Sequence, residues 1–419
     1  MKVTVKNAHL AGEVKIPASK SEAHRAMICA ALSDDACELH FDGICSDIEA
    51  TADCLASLGA GIRRTDYGYM ITPIDRVRTD AYLRCRDSGS TLRFLIPVSA
   101  ALGADATFFM EGKLSQRPLS PLDAELARCG VKLTQNAREL HVAGQLAEQS
   151  FSISGSVSSQ FISGLMLALP LMGGGTVTLV GKTESFDYIR LTADAMRRFG
   201  VKVEISDDKI TVDGSYISPG TVRVSGDWSS ASFWAVAGAL SGDGITCRGV
   251  DLSSTQGDRR ILEILSRMGA EVTCFDDAFK VRSCGRLNAV NIDAVDIPDA
   301  VPIISVAAAT ANGKSRISGA SRLRFKESDR IATVSELLTR MGVAVRELPD
   351  GLEIDGCDRL SGSIIDPHFD HRIAMCAAIA ATSADDEVTV TNAECVGKSY
   401  GAFWDDYVSL GAHIEKYDD

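Results

Sequence analysis

The chain has 419 residues, more than one hydrophobic core usually serves, so two domains of about 200 residues each are expected. Its 45% hydrophobic and 24% charged residues are those of a globular protein, and a net charge of -13 argues against nucleic acid or an anionic membrane as the main partner. Any anion site must be a local basic pocket inside an acidic shell.

In chain order, "MKVTVKNAHLAGEVKIP" (1–17) alternates as strands do and lacks the apolar segment of a secretion signal. A polar opening followed by an Ala-rich apolar helix comes next, "SKSEAHRAMICAALS" (19–33). An amphipathic stretch follows and ends at "SLGAGI" (57–62). The same two segments then recur. Apolar helices are expected at "SGSTLRFLIPVSAALG", "SVSSQFISGLMLALPLM", "DWSSASFWAVAGALSG", "IPDAVPIISVAAATANG" and "FDHRIAMCAAIAATSA". Several are apolar nearly all round, which predicts burial inside a domain. The amphipathic stretches end at Gly59, Gly130, Gly200, Gly269, Gly342 and Gly411, about 70 residues apart, each suited to a left-handed helix cap. Runs such as "TVTLVGKT" and "VKVEISDDKITVDG" read as strands.

Six repeats give two α/β domains of three repeats each, with the boundary in the Gly, Pro and Ser of "DGSYISPGTVRVSGD" (213–227). The longest apolar run, "FISGLMLALPLMGGGTVTLV", is broken by Pro170 and three glycines and cannot span a bilayer. The twelve cysteines are scattered, with no C-x-x-C pair. They read as reduced, mostly buried thiols such as Cys29, Cys54 and Cys376 in a cytoplasmic protein.

Polar residues gather at the predicted helix starts. The apolar helices open with Lys20, Ser21 and Arg25; Ser88, Gly89, Ser90 and Arg93; Ser158, Ser159 and Gln160; Asp299; and Asp370, His371 and Arg372. About three to four turns before the cap glycines stand Arg117, Ser185 with Tyr188, "RFKESDR" with Lys326, Glu327 and Arg330, and Lys398. Taken singly, the serines read as caps and the cations as solvated side chains, with Ser328 the expected N-cap of the helix "IATVSELLTRMG". Together they form a pattern. Cations are unfavourable at helix N-termini, so their accumulation there in an acidic protein points to an anionic ligand.

The motifs "PASKSEAHRAMICAAL", "DSGSTLR", "LSQRPLSPL", "GSVSSQFISGLMLALPL", "SFDYIRLT", "IPDA", "FKESDRI", "FDHRIAM" and "GKSYGAFW" resemble, in order and spacing, the 5-enolpyruvylshikimate-3-phosphate synthases of the enolpyruvyl transferase family. The resemblance spans the whole chain. It implies two domains, 19–226 and 1–18 plus 227–419, each an inside-out α/β barrel of three βαβαββ repeats with buried parallel helices. It places the active site in the cleft between them. The implied reaction transfers the enolpyruvyl group of phosphoenolpyruvate to the 5-hydroxyl of shikimate 3-phosphate, releasing phosphate, in chorismate and aromatic amino acid biosynthesis. No metal or organic cofactor is implied, and the chain is expected to be a monomer.

By the same resemblance, Lys20, Ser21, Arg25, Ser158, Ser159, Gln160, Ser185, Tyr188, Asp299 and Lys326 would hold shikimate 3-phosphate. Lys20, Gly89, Arg93, Arg117, Gln160, Arg330, Arg372 and Lys398 would hold phosphoenolpyruvate. Asp299 resembles the base for the 5-hydroxyl and Glu327 the proton donor to the methylene carbon, with Lys326, Lys398 and His371 completing the catalytic set. Two positions depart from the pattern: Asp87 stands where Asn is usual, and Arg322 where Asn often precedes the "KE" pair. A UDP-N-acetylglucosamine enolpyruvyl transferase would carry Asn after the early Lys and a loop Cys, but here Ser21 follows Lys20 and "GKLSQRP" has no Cys. A non-catalytic phosphate-ligand module would not need Asp299, Glu327, His371 and Lys398 together.

Overall fold

The computed structural model describes residues 1–6 and 9–417, which form two compact units, Ala18–Ser225 and Met1–Pro17 with Gly226–Asp419. Each unit has its own apolar core. The first contains α1 (Lys20–Ala31), α2 (Ser46–Leu58), α3 (Gly89–Ala101), α4 (Leu122–Arg128), α5 (Ser159–Ala168) and α6 (Phe186–Arg198). The second contains α7 (Trp228–Leu240), α8 (Ile261–Arg267), α9 (Val301–Ala309), α10 (Arg330–Arg340), α11 (His371–Ala381) and α12 (Phe403–Ser409).

Among the described residues, each unit has three four-stranded sheets. In the sheet of Ala81–Arg86, Ala106–Met110, Glu139–Ala143 and Lys132–Gln135, the first two strands are parallel and the rest antiparallel. The other five sheets repeat this order. The alternating N-terminal stretch forms two strands, and residues 7 and 8 between them lie outside the described residues. Gly12–Lys15 opens the fourth repeat by pairing with Ile245–Arg248, and Lys2–Val5 completes the sixth between Val388–Val390 and Ile414–Tyr417.

The predicted apolar helices are the odd-numbered ones. α9 and α11 are buried along their whole length, as a helix without a polar face must be. α6 shows the other pattern, with Ile189, Ala193 and Met196 buried and Arg190 and Arg197 outside. All six predicted cap glycines have positive φ, from 79° at Gly200 to 121° at Gly59. At Gly59 a Cβ would also lie 2.5 Å from the Arg76 carbonyl oxygen, so no other residue fits without a backbone shift.

Three expectations need correction. Arg117 does not open a helix; it follows a short 3-10 turn, Leu114–Gln116, because Pro118 and Pro121 remove two backbone donors. Lys398 ends the 3-10 helix Ala393–Lys398 instead of starting α12, in a stretch weakened as helix by Gly397 and Gly401. The N-cap of α10 is Asp329, whose carboxylate accepts the Ala332 N–H at 3.1 Å. Ser328 turns inward and donates to the Asp370 carboxylate at 3.0 Å.

Aromatic side chains pack together on either side of Gly401, just after Lys398. Trp234 of α7 stacks on Phe403 at 5.2 Å and donates its indole N–H to the Tyr400 hydroxyl at 3.0 Å. Each such ring stabilises the fold by roughly 1.5–3 kcal/mol through burial. Among the described residues, no helix is long and apolar enough to cross a membrane.

Candidate active site

Each unit gathers polar side chains where its helices begin. In Ala18–Ser225, the first residue of α1, Lys20, pairs with Asp47 in the first turn of α2 at 2.8 Å. Ser88 caps α3 by accepting the Thr91 N–H, and Ser158 caps α5 by accepting the Gln160 N–H. Both serines are thus the caps that each predicts when taken singly. Gln160 joins these ends, its amide donating to Ser90 at 2.9 Å and its carbonyl accepting from Arg93 at 2.8 Å. The missing side chain of Gly89 is essential here. A Cβ would meet an Arg117 guanidinium nitrogen at 3.1 Å and one of Arg93 at 3.2 Å. Two guanidinium groups therefore lie directly against the start of α3, a donor array suited to phosphate or carboxylate.

Arg25 behaves differently from a solvent-facing ligand. It is 1% exposed, lies 4.8 Å over the Phe94 ring, and donates to Thr192, the Ser21 carbonyl, the Tyr188 carbonyl and Ser163. Burial brings its pKa down to about 10. It braces Ser21 and Tyr188 from behind. Ser159 and Ser185 are also buried, and Ser185 takes a left-handed backbone, φ 53°, at the entry to α6.

In the other unit Arg330 is the hub. Its guanidinium, 1% exposed, donates to Asp370 at 2.8 and 3.3 Å, to Asp299 at 2.8 Å and to Glu327 at 2.8 Å. Lys326 reaches the same Asp299 oxygen at 3.4 Å. Arg372, two residues into α11, donates to the Asp299 backbone carbonyl at 3.1 Å and lies 3.8 Å from its carboxylate. Asp370 caps α11 through the Arg372 N–H at 3.0 Å. His371 is buried beside it, with Nδ1 3.8 Å from the Asp370 carboxylate. Lys398 is buried at the end of its 3-10 helix. Arg322 donates to the Val295 carbonyl at 3.1 Å.

Charge sets the protonation states. Burial alone would raise the Asp299 pKa, but Lys326, Arg372 and Arg330 hold it well below the usual carboxylate range. Burial lowers Lys326, against the pull of Asp299. Burial opposes the charge of Asp370 too, and Arg330 overcomes it to leave Asp370 depressed. Three cations thus surround the Asp299 carboxylate, which an incoming anion could displace as their counter-ion.

Two members escaped the sequence reading. Asp47 is the partner of Lys20. Asp258 is buried beside α7, accepts a hydrogen bond from Ser229, and has its pKa pushed up to about 7 by burial and the Asp299 charge, against Arg372. Its signal was available, since "TQGDRR" stands before Gly269 much as "FKESDR" stands before Gly342. Among the described residues, no three His, Cys, Asp or Glu side chains are grouped to hold a metal.

The family model for EPSP synthase (3-phosphoshikimate 1-carboxyvinyltransferase) matches residues 5–407. A 3-phosphoshikimate 1-carboxyvinyltransferase of Clostridium perfringens is 39% identical, with 99% of both chains covered. One from Clostridium acetobutylicum is 38% identical, with 97% of both covered. The solved EPSP synthase of Acinetobacter baumannii has the same fold, with a TM-score of 0.82 at 24% identity over 99% of this chain and 100% of that one. On its match across nearly the whole length, the chain belongs to the EPSP synthase (3-phosphoshikimate 1-carboxyvinyltransferase) family.

Proposed function

We propose that the chain transfers the enolpyruvyl group of phosphoenolpyruvate to the 5-hydroxyl of shikimate 3-phosphate. The observation that carries this is the full-length kinship with enzymes named for that reaction. In the transfer, a proton adds to the methylene carbon and the 5-oxygen attacks the neighbouring carbon, losing its own proton. The resulting intermediate then expels phosphate and gives up a methyl proton, which restores the double bond. One acid, one base and many cationic donors are required.

We assign the acid to Glu327 and the base to Asp299, with Lys326, Lys398 and His371 handling proton and charge. Gly89, Arg93, Arg117, Gln160, Lys20, Arg330, Arg372 and Lys398 hold phosphoenolpyruvate. Lys20, Ser21, Ser158, Ser159, Gln160, Ser185, Tyr188, Asp299 and Lys326 hold shikimate 3-phosphate, and Arg25 acts through Ser21 and Tyr188. Support comes from the cation clusters in both units and from the carboxylates already paired to them. We place the reaction in the cytoplasm, where the free cysteines stay reduced.

Phosphate release from a mixture of purified protein, shikimate 3-phosphate and phosphoenolpyruvate tests the assignment. Release with UDP-N-acetylglucosamine in place of shikimate 3-phosphate, and none with shikimate 3-phosphate, overturns it. Asp87 adds a negative charge two residues before Gly89. The Asp87→Asn variant is expected to lower KM for phosphoenolpyruvate roughly threefold, as loss of a partly screened like charge should. An unchanged KM in steady-state kinetics removes Asp87 from the phosphoenolpyruvate loop.

A further inference from the structure

Arg86 has an unusual backbone for a charged residue, with φ 50° in the left-handed region. It follows an irregularity in its strand, where the register with Ala106–Met110 shifts between Arg84 and Arg86. The Ser88 N–H donates to the Cys85 carbonyl at 2.9 Å, so Cys85–Ser88 is a tight turn with Arg86 at its second position. That position favours glycine, and a side chain kept there needs compensation.

α2 supplies it. The Arg86 guanidinium donates to Glu49 at 2.9 Å, to Asp53 at 3.2 Å, and to the carbonyl and hydroxyl oxygens of Ser46 at 3.3 Å. The Glu111 N–H fixes the Arg86 carbonyl at 2.7 Å. The turn held in this way leads directly to Ser88 and Gly89, against which Arg93 and Arg117 lie. On its other side α2 carries Asp47, the partner of Lys20.

We infer that Arg86, clamped by Glu49 and Asp53, is a positioning residue for phosphoenolpyruvate. It makes α2 a bracket that fixes the Cys85–Gly89 turn against the two guanidinium groups. This rests on the proposed reaction, and on Gly89, Arg93 and Arg117 being its phosphoenolpyruvate end. Arg86 acts through the turn and touches no substrate.

The decisive variant is Arg86→Gly, because glycine suits the left-handed turn and removes only the clamp. A second variant, Glu49→Gln with Asp53→Asn, keeps Arg86 but weakens its partners. Both are expected to raise KM for phosphoenolpyruvate about fivefold, the scale of a partly exposed ion-pair network. KM for shikimate 3-phosphate and kcat should stay within about twofold, since a local effect on one substrate spares the rest. Arg86→Lys should fall between, retaining charge without the fork. An unchanged KM for phosphoenolpyruvate in both variants, or an equal rise in both KM values, overturns the inference. No turnover by the unaltered protein overturns the reaction assignment instead. Thermal-shift titration with inorganic phosphate then decides the clamp: a higher half-saturating concentration in Arg86→Gly supports it, and an equal one refutes it.

Discussion

Replacing Glu327 by glutamine is expected to leave the protein folded and lower kcat by about 10²–10⁴-fold, the usual scale for losing a general acid. The amide is nearly isosteric, and its oxygen can still accept the hydrogen bond that Arg330 gives the carboxylate at 2.8 Å. Arg330 also retains Asp370 and Asp299, so the hub survives. What disappears is the transferable proton. When Arg330 turns to an anionic ligand, the Glu327 carboxyl is released from that ion pair and becomes available to protonate the methylene carbon. Asp329→Ala is the control. It removes the N-cap of α10 and should cost about 1 kcal/mol of stability, but little turnover. Circular dichroism melting and steady-state kinetics on both variants separate the two roles. If Glu327→Gln turns over normally, or if Asp329→Ala is the more damaging to kcat, Glu327 belongs to the helix entrance and not to the chemistry.

The contrast between Asp329 and Glu327 also marks how far the sequence could be read. Periodicity and the six glycines were legible because they answer to local rules: a helix without a polar face must be buried, and a backbone with φ of 79° or more at these turns calls for glycine. Cap identity was harder. Ser328 and Asp329 are both good caps, and the choice fell to Asp329 because Asp370, 42 residues on from Ser328, takes the Ser328 hydroxyl. The same limit hid the direction of Arg25. Its motif gave a cation at a helix start, but four acceptors from three helices turn it into the core. At Lys398 and Arg117 proline and glycine set the local structure where the spacing predicted helix starts. Residues sharing a site across the fold can be identified by type from sequence, but their pairing depends on partners brought from elsewhere. Asp299, Glu327 and Asp370 all pair with Arg330.

That meeting makes Asp299→Asn the second change with a large expected effect. Without ligand, Asp299 is the shared counter-ion of Lys326, Arg330 and Arg372, which hold its pKa well below normal against the burial that would raise it. A carboxylate so stabilised is a poor base. Anionic substrates would draw those cations away, so the Asp299 pKa should rise on binding and its basicity appear only in the loaded enzyme. The asparagine variant is therefore expected to lose about 10²–10⁴-fold in kcat. Its affinity for shikimate 3-phosphate, measured by calorimetry, should change little, because the amide oxygen of asparagine can still accept a hydrogen bond from the substrate while a charge competing for Lys326 has gone. Stability should respond with a definite sign. The folded-state pKa of Asp299 lies below its unfolded value of about 3.9, so its ion pairs stabilise the fold above that pH and fade as pH falls through the folded value. The variant should melt lower than the unaltered protein near neutral pH, and the gap should narrow on acidification. Adding phosphate at neutral pH should restore part of it by replacing the lost counter-ion. A variant with full kcat would remove Asp299 as the base. One with lost kcat and equally lost affinity would leave it only a ligand contact, with the proton going elsewhere.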